Sequence, residues 1–195
     1  MTKFKNLIIV IIVASLTSCA SFRPVNPDDI CTIFDQKSSW YRAANKAAKK
    51  WNGNLHVPMA IMYHESAFDK NAQPPMRYFL WVIPRGRASS AYGYPQALES
   101  TWAAYQRDAG SILSRRNSFA DSIDFIQWYM HQTTTKNRVA KTDAYGQYLN
   151  YHEGQAGYAR GTYKNKQWLI KTAKRVERRA NQYASQLTKC SAKLG

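Results

Sequence analysis

Acidic residues are scarce in this chain: 12 Asp and Glu stand against 28 Lys and Arg in 195 residues, for a formal net charge of +16. Such a surface seeks polyanions, not cations. Cysteine is nearly as sparse, with Cys19, Cys31 and Cys190 only, and the four histidines are scattered. No Cys/His spacing of a zinc site occurs, so neither a metal nor another cofactor is expected. No repeat or low-complexity stretch appears. The apolar stretch Leu7–Leu16 is too short to cross a bilayer. As a helix it would reach about 15 Å against a hydrocarbon core of about 30 Å.

What that stretch does resemble is the core of an export signal. Lys3 and Lys5 precede it and the small residues of "LTSC" follow, ending at Cys19. A positive start, a short apolar core and a small-residue exit describe a secretory signal peptide. "LTSC" also resembles the lipobox of bacterial lipoproteins, which implies cleavage before Cys19 and lipid on the new terminus. The alternative is an ordinary signal with an incidental cysteine. Ala20, in place of Asp, resembles the outer-membrane sorting pattern. The expected organisation is a signal peptide over 1–18, a lipid-anchored tether over 19–36 and one domain over 37–195. The expected location is periplasmic, at the inner leaflet of the outer membrane.

Loss of Lys3 and Lys5 with the signal leaves 26 basic against 12 acidic residues. Nucleic acid is not the expected partner of an exported chain; anionic lipid and the carboxylates of wall peptides are within reach. Once Cys19 carries lipid, Cys31 and Cys190 remain as an even pair in an oxidising compartment, which suggests a disulfide. Closing so long a loop is worth at most about 5 kcal/mol in the chain-entropy picture. Two free thiols near the chain ends are the alternative.

Apolar periodicity predicts helices over about 38–51, 57–68, 98–108, 119–133, 141–152 and 164–186. Pro58 suits a first helical turn. In the last helix, Trp168, Ile170, Ala173 and Val176 form the expected apolar stripe, while Lys171, Lys174, Arg175, Arg178 and Arg179 read as a solvated face. One segment does not fit a helical bundle: "QPPMRYFLWVIPRGRASS", Gln73 to Ser90. Connections of that length usually have a function or are disordered. Its aromatic and β-branched centre between prolines predicts a small hairpin at about 75–88. That hairpin reads as a flap over a cleft, a patch facing a membrane, or ordinary packing.

"MAIMYHESAF", Met59 to Phe68, sets Glu65 within an otherwise apolar helix. Burial disfavours the charged form of a carboxylic acid and raises its pKa. A general acid that cleaves a glycosidic bond needs that shift to hold its proton near neutrality.

Three motifs in order carry a resemblance. "HESAF" (His64–Phe68) resembles the Glu-Ser motif of the soluble lytic transglycosylase and goose-type lysozyme-like superfamily. "SSAYGYPQALEST" (Ser89–Thr101) is similar to its second motif, with Gly93, Gln96 and Thr101 in place and Tyr94 and Pro95 replacing Leu and Met. "YHEG" (Tyr151–Gly154) falls where that family has Ala-Tyr-Asn-x-Gly. The resemblance spans about residues 40–174.

It implies an all-α, lysozyme-like helical domain with a groove for peptidoglycan glycan strands. Glu65 would be the catalytic acid and then the base. The muramoyl 6-hydroxyl would close onto C1 as a 1,6-anhydro sugar, so no second carboxylate is needed, unlike the two-carboxylate plan. Ser66 would touch substrate or position the acid. Gly93 would allow close backbone approach, Gln96 would read an acetamido group, and Tyr151 would hold the Glu65 carboxyl. Tyr92 and Tyr94 would stack on sugars. His152 replaces the family Asn, and Glu153 is an added acid. Were Glu153 to activate water, the chain would be a muramidase. Other readings are a non-catalytic wall-binding lipoprotein and a basic membrane-surface adaptor.

Overall fold

A computed structural model describes residues 22–194; the expected signal peptide and Cys19 lie outside them. Helix α1 (Ile30–Gln36) is capped by Asp29, whose carboxylate accepts from the Cys31 amide and the Thr32 hydroxyl. Ile30, Ile33 and Phe34 are fully buried. The expected boundary between residues 36 and 37 is not a structural one: α1 is part of the domain, because its apolar face needs the core, and Phe22 before it already packs edge-on to Trp40. Cys31 and Cys190 form a disulfide with Cα atoms 6.0 Å apart, fastening α1 to the far end of the chain.

Helix α2 (Ser38–Trp51) turns one strong apolar stripe inward; Trp40 stacks on Phe119 with ring centroids 4.1 Å apart. Helix α3 (His56–Ser66) is apolar on nearly all sides, and Val57, Met59, Ala60, Ile61 and Met62 are fully buried. Such a helix can only be central, and it packs between α5 and α7. Asn54 starts it, accepting from the Val57 amide at 2.9 Å. Its end comes two residues before the expected one. Ala67 and Phe68 both adopt left-handed backbone, at φ 49° and 60°, which drops the Phe68 ring into the core.

The hairpin follows, β1 (Met76–Phe79) antiparallel to β2 (Ile83–Arg87). Then come α4 (Glu99–Asp108) and α5 (Phe119–Asn137). Helix α5 runs one turn beyond Thr133, its expected end, since Thr134 and Thr135 bond back to the carbonyls of Met130 and His131. Helix α6 (Ala144–Ala159) starts at an Asp143 cap and is broken at Gly154, and a short 3-10 turn (Thr162–Asn165) leads to α7 (Gln167–Cys190). The buried stripe of α7 is Leu169, Ala173, Val176, Ala180 and Tyr183. This corrects the start of the expected stripe by one residue: Trp168 is exposed.

Candidate active site

Glu65 is the penultimate residue of α3. A carboxylate there faces the negative end of the helix dipole, which already disfavours ionisation. Burial acts in the same direction and far more strongly. The hydroxyl of Tyr148, from α6, hydrogen-bonds the carboxyl and favours its ionised form, but burial wins and the pKa is pushed up to about 7. His64 adds no positive charge beside it: burial, then Arg179 and Arg175, holds its imidazole down to about 4. Glu65 is thus balanced between proton donor and proton acceptor near neutrality.

The carboxyl borders a cleft of about 520 Å³. Helix α5 supplies Phe125 and Tyr129, the segment before α4 supplies Gln96, Ala97 and Leu98, and the hairpin roots supply Pro74 and Ser89. The broken end of α6 supplies Tyr151, His152, Glu153 and Gly154. A larger hollow of about 680 Å³ lies between α2 and Leu194. It is lined by bases and holds no carboxylic acid, so chemistry of this kind belongs to the smaller cleft. Among the described residues, no group of three His, Cys, Asp or Glu side chains gathers as a metal site.

The break in α6 shapes the rim. Gly154 has φ 72° and ψ 156°, a region essentially reserved for glycine. Asn137 repairs the disrupted ladder by donating to the Gln155 carbonyl at 2.9 Å and to the Asn150 side chain at 2.6 Å. Left-handed backbone at Ala67, Phe68 and Gln96 adds to the strain around the cleft. Such conformations persist only where surrounding structure holds them, and they concentrate at functional sites.

The expected site residues divide. Glu65, Gln96, Tyr151, His152 and Glu153 come together in the cleft. Gln96 spends both amide protons on the carbonyls of Ala72 and Gly93, leaving its side-chain carbonyl as the group with capacity to bind. Tyr151 does not hold the acid as expected. Its hydroxyl donates to the Pro95 carbonyl at 2.6 Å, although the Glu65 charge still helps to push its pKa upward after burial. That holding role falls to Tyr148, one turn earlier on the same helix face; the i, i+3 spacing from Tyr151 was the available signal.

Tyr94, Tyr92, Gly93 and Ser66, expected at the substrate, lie outside the cleft lining. Tyr94 is a core residue, edge-on to Trp40 and Phe119. Tyr92 lies under the Arg116 guanidinium and meets Asn71, outside the cleft lining. Gly93 is required by protein, not sugar: at φ 72° any Cβ would meet the Arg116 carbonyl at 2.1 Å. Ser66 returns its hydroxyl to the Met62 carbonyl of its own helix.

Glu153 is locked. Lys166 donates to both its oxygens, at 2.8 and 2.9 Å, and Thr162 and His152 also reach the carboxylate. Burial works to raise its pKa, but these partners outweigh it and hold the acid down to about 2.

The fold and cleft define a helical domain with one protonatable acid facing a groove. The chain belongs to the transglycosylase SLT domain family, whose profile matches residues 7–190. Membership implies lytic transglycosylase activity on peptidoglycan and binding of that polymer. No curated protein and no solved structure matches the chain significantly.

Proposed function

We propose that this chain cleaves the β-1,4 bond between N-acetylmuramic acid and N-acetylglucosamine, leaving a 1,6-anhydro end. The observation that carries the reading is the pair of acids in the cleft: one neutral enough to donate a proton, the other paired and unable to serve as a base. Glu65 gives its proton to the glycosidic oxygen as the bond from C1 breaks. The muramoyl C6 hydroxyl oxygen then bonds to C1, and its proton passes to the Glu65 carboxylate. The acid is restored and no water is consumed. A carboxyl with a pKa near 7 suits both halves of that cycle, because a shared acid and base works best near the ambient pH.

Tyr148 stabilises the anion that exists between the two proton transfers. The side-chain carbonyl of Gln96 accepts from an acetamido N–H, and Tyr129 and Tyr151 form the aromatic wall. The enzyme works from the periplasmic face of the outer membrane, held by lipid on Cys19 after loss of residues 1–18. Mass analysis of digested sacculi tests the reaction. Anhydro-ended muropeptides are expected, and reducing ends that carry added water would assign the chain as a muramidase instead. Equal solubilisation of sacculi by wild type and Glu65→Gln would leave a wall-binding role only.

A further inference from the structure

The β1–β2 hairpin extends from the rim of the cleft with every strand residue exposed. At its tip Leu80, Trp81 and Val82 are 68%, 95% and 74% exposed. Water is a costly surrounding for such a tip. The turn geometry sharpens the point. Val82 donates to the Phe79 carbonyl, and Leu80 and Trp81 have φ of 48° and 66°. Although the loop between paired Phe79 and Ile83 has three residues, the Phe79–Val82 turn has the φ signs of type I′, which favours Asn-Gly. Here the two positions are filled by bulky apolar residues that gain nothing from the turn.

We propose that this hairpin is a membrane-docking device, which lays Leu80, Trp81 and Val82 into the interface of a bilayer rich in anionic phospholipid. The charges fit that occupant. Arg77, Arg85 and Arg87 lie behind the tip, and no acidic residue occurs between Asp69 and Glu99. An apolar tip with a cationic collar matches a surface whose headgroups are negative and whose interior is apolar. Trp is the residue that prefers that boundary.

A lid over the cleft fits less well. Strand side chains alternate between faces, so a lid would turn one apolar face inward and one polar face outward. This hairpin carries Tyr78 and Pro84 on one face, Phe79 and Ile83 on the other, and its strands pack mainly on each other. Apolar groups on both sides suit a medium that surrounds the tip. A second apolar pair lies close by. Ile112 and Leu113 are 89% and 77% exposed on the loop whose Arg116 is tied to the Ser90 carbonyl beside the hairpin root. Among the described residues no helix is long and apolar enough to cross a membrane, and the contact proposed is with the surface. It would hold the cleft close to that surface, independently of any lipid on Cys19.

The test compares full chains carrying Cys19→Ala, with and without Leu80→Asn/Trp81→Gly. The replacement supplies the residues that the turn favours, so the hairpin is retained while its apolar tip is removed. Co-sedimentation with phosphatidylethanolamine–phosphatidylglycerol vesicles should weaken by about tenfold or more in the double variant. Fluorescence quenching by brominated lipid should fall on Trp81→Phe. Wild type should bind phosphatidylcholine vesicles less well than the anionic ones. Equal sedimentation of the two chains overturns the proposal. So does an unchanged affinity for vesicles combined with lost cleavage of soluble glycan, which would make the hairpin a lid.

Discussion

The Tyr148 hydroxyl donates to the Glu65 carboxyl from one turn before the tyrosine that the sequence motif singles out. The contact favours the charged form of Glu65, and burial opposes it more strongly. Tyr148→Phe should therefore let the acid titrate higher still. The alkaline limb of the activity profile, which reports loss of the donated proton, should move to higher pH. Turnover at its optimum should fall, because the intermediate carboxylate loses its partner. An alkaline limb that stays in place, measured by muropeptide release across pH, would mean that Tyr148 does not tune the acid.

Glu65 also links function to stability. Its folded pKa lies above the ordinary carboxylate value, so the folded chain keeps a proton that the unfolded chain releases between about 4.5 and 7. Its contribution to stability is present below that window and lost as pH rises through it. The integrated loss is on the order of 3 kcal/mol. Glu65→Gln has no charge to bury. Its melting temperature should match wild type near pH 4 and exceed it by several degrees at pH 8. Its activity should fall by about a hundredfold or more at every pH. A melting difference that is constant with pH would show that Glu65 titrates normally.

The elements most legible in the sequence were those set by strong periodicity and punctuation. Central α3 announced itself by apolar residues on every side of one acid, and the hairpin by a β-rich run between prolines. The helix ends were less legible, because they depend on tertiary partners. Ala67 and Phe68 take left-handed backbone so that a ring can enter the core. The last turn of α5 survives its threonines because their hydroxyls find carbonyls in the helix. Tyrosines were the hardest site residues to sort. Tyr94 and Tyr151 look alike in the chain, yet one is packed between Trp40 and Phe119 and the other borders the cleft. Only the packing of three helices decides which ring meets solvent. The partner of Glu153 was equally hidden, since Lys166 belongs to the junction after α6 and reads as one more surface base.

That partner makes a prediction about product. Glu153→Gln removes an acid that is already paired, so the anhydro product should remain and only its yield should change. Lys166→Met instead frees the acid from its pair, so water-terminated ends, if this pairing is what excludes them, should appear in that variant and not in Glu153→Gln. Each variant leaves a formerly charged hydrogen bond incomplete in a pair whose lysine is half-exposed, and should lose about 1 kcal/mol of stability. The wild-type contribution of Glu153, whose folded pKa is depressed, should vanish only in strong acid, as pH falls from about 4.5 through 2. Denaturant melts with chromatographic analysis of sacculus digests would check both statements. Loss of water-terminated ends on Glu153→Gln, with anhydro ends unaffected, would instead make Glu153 the base of a hydrolytic side reaction.

Gly154 tests whether the break in α6 shapes the cleft or merely accompanies it. A Cβ at this position would meet nothing within 4 Å, so Gly154→Ala introduces no collision. All of its effect must come through backbone conformation. With ψ at 156° as well as φ at 72°, the residue sits where alanine is strained by about 1–3 kcal/mol. The chain can absorb that cost as lost stability, or relieve it by moving His152 and Glu153 relative to Tyr151. The first outcome lowers the melting temperature and leaves the Michaelis constant for glycan unchanged. The second preserves much of the stability and weakens glycan binding instead. We expect the first to dominate, since Asn137 pins both Asn150 and Gln155 across the break. Adding Asn137→Ala should release that pin and convert the stability loss into a binding loss. If the single and double variants bind glycan equally well, the broken rim of α6 is not a wall of the substrate site.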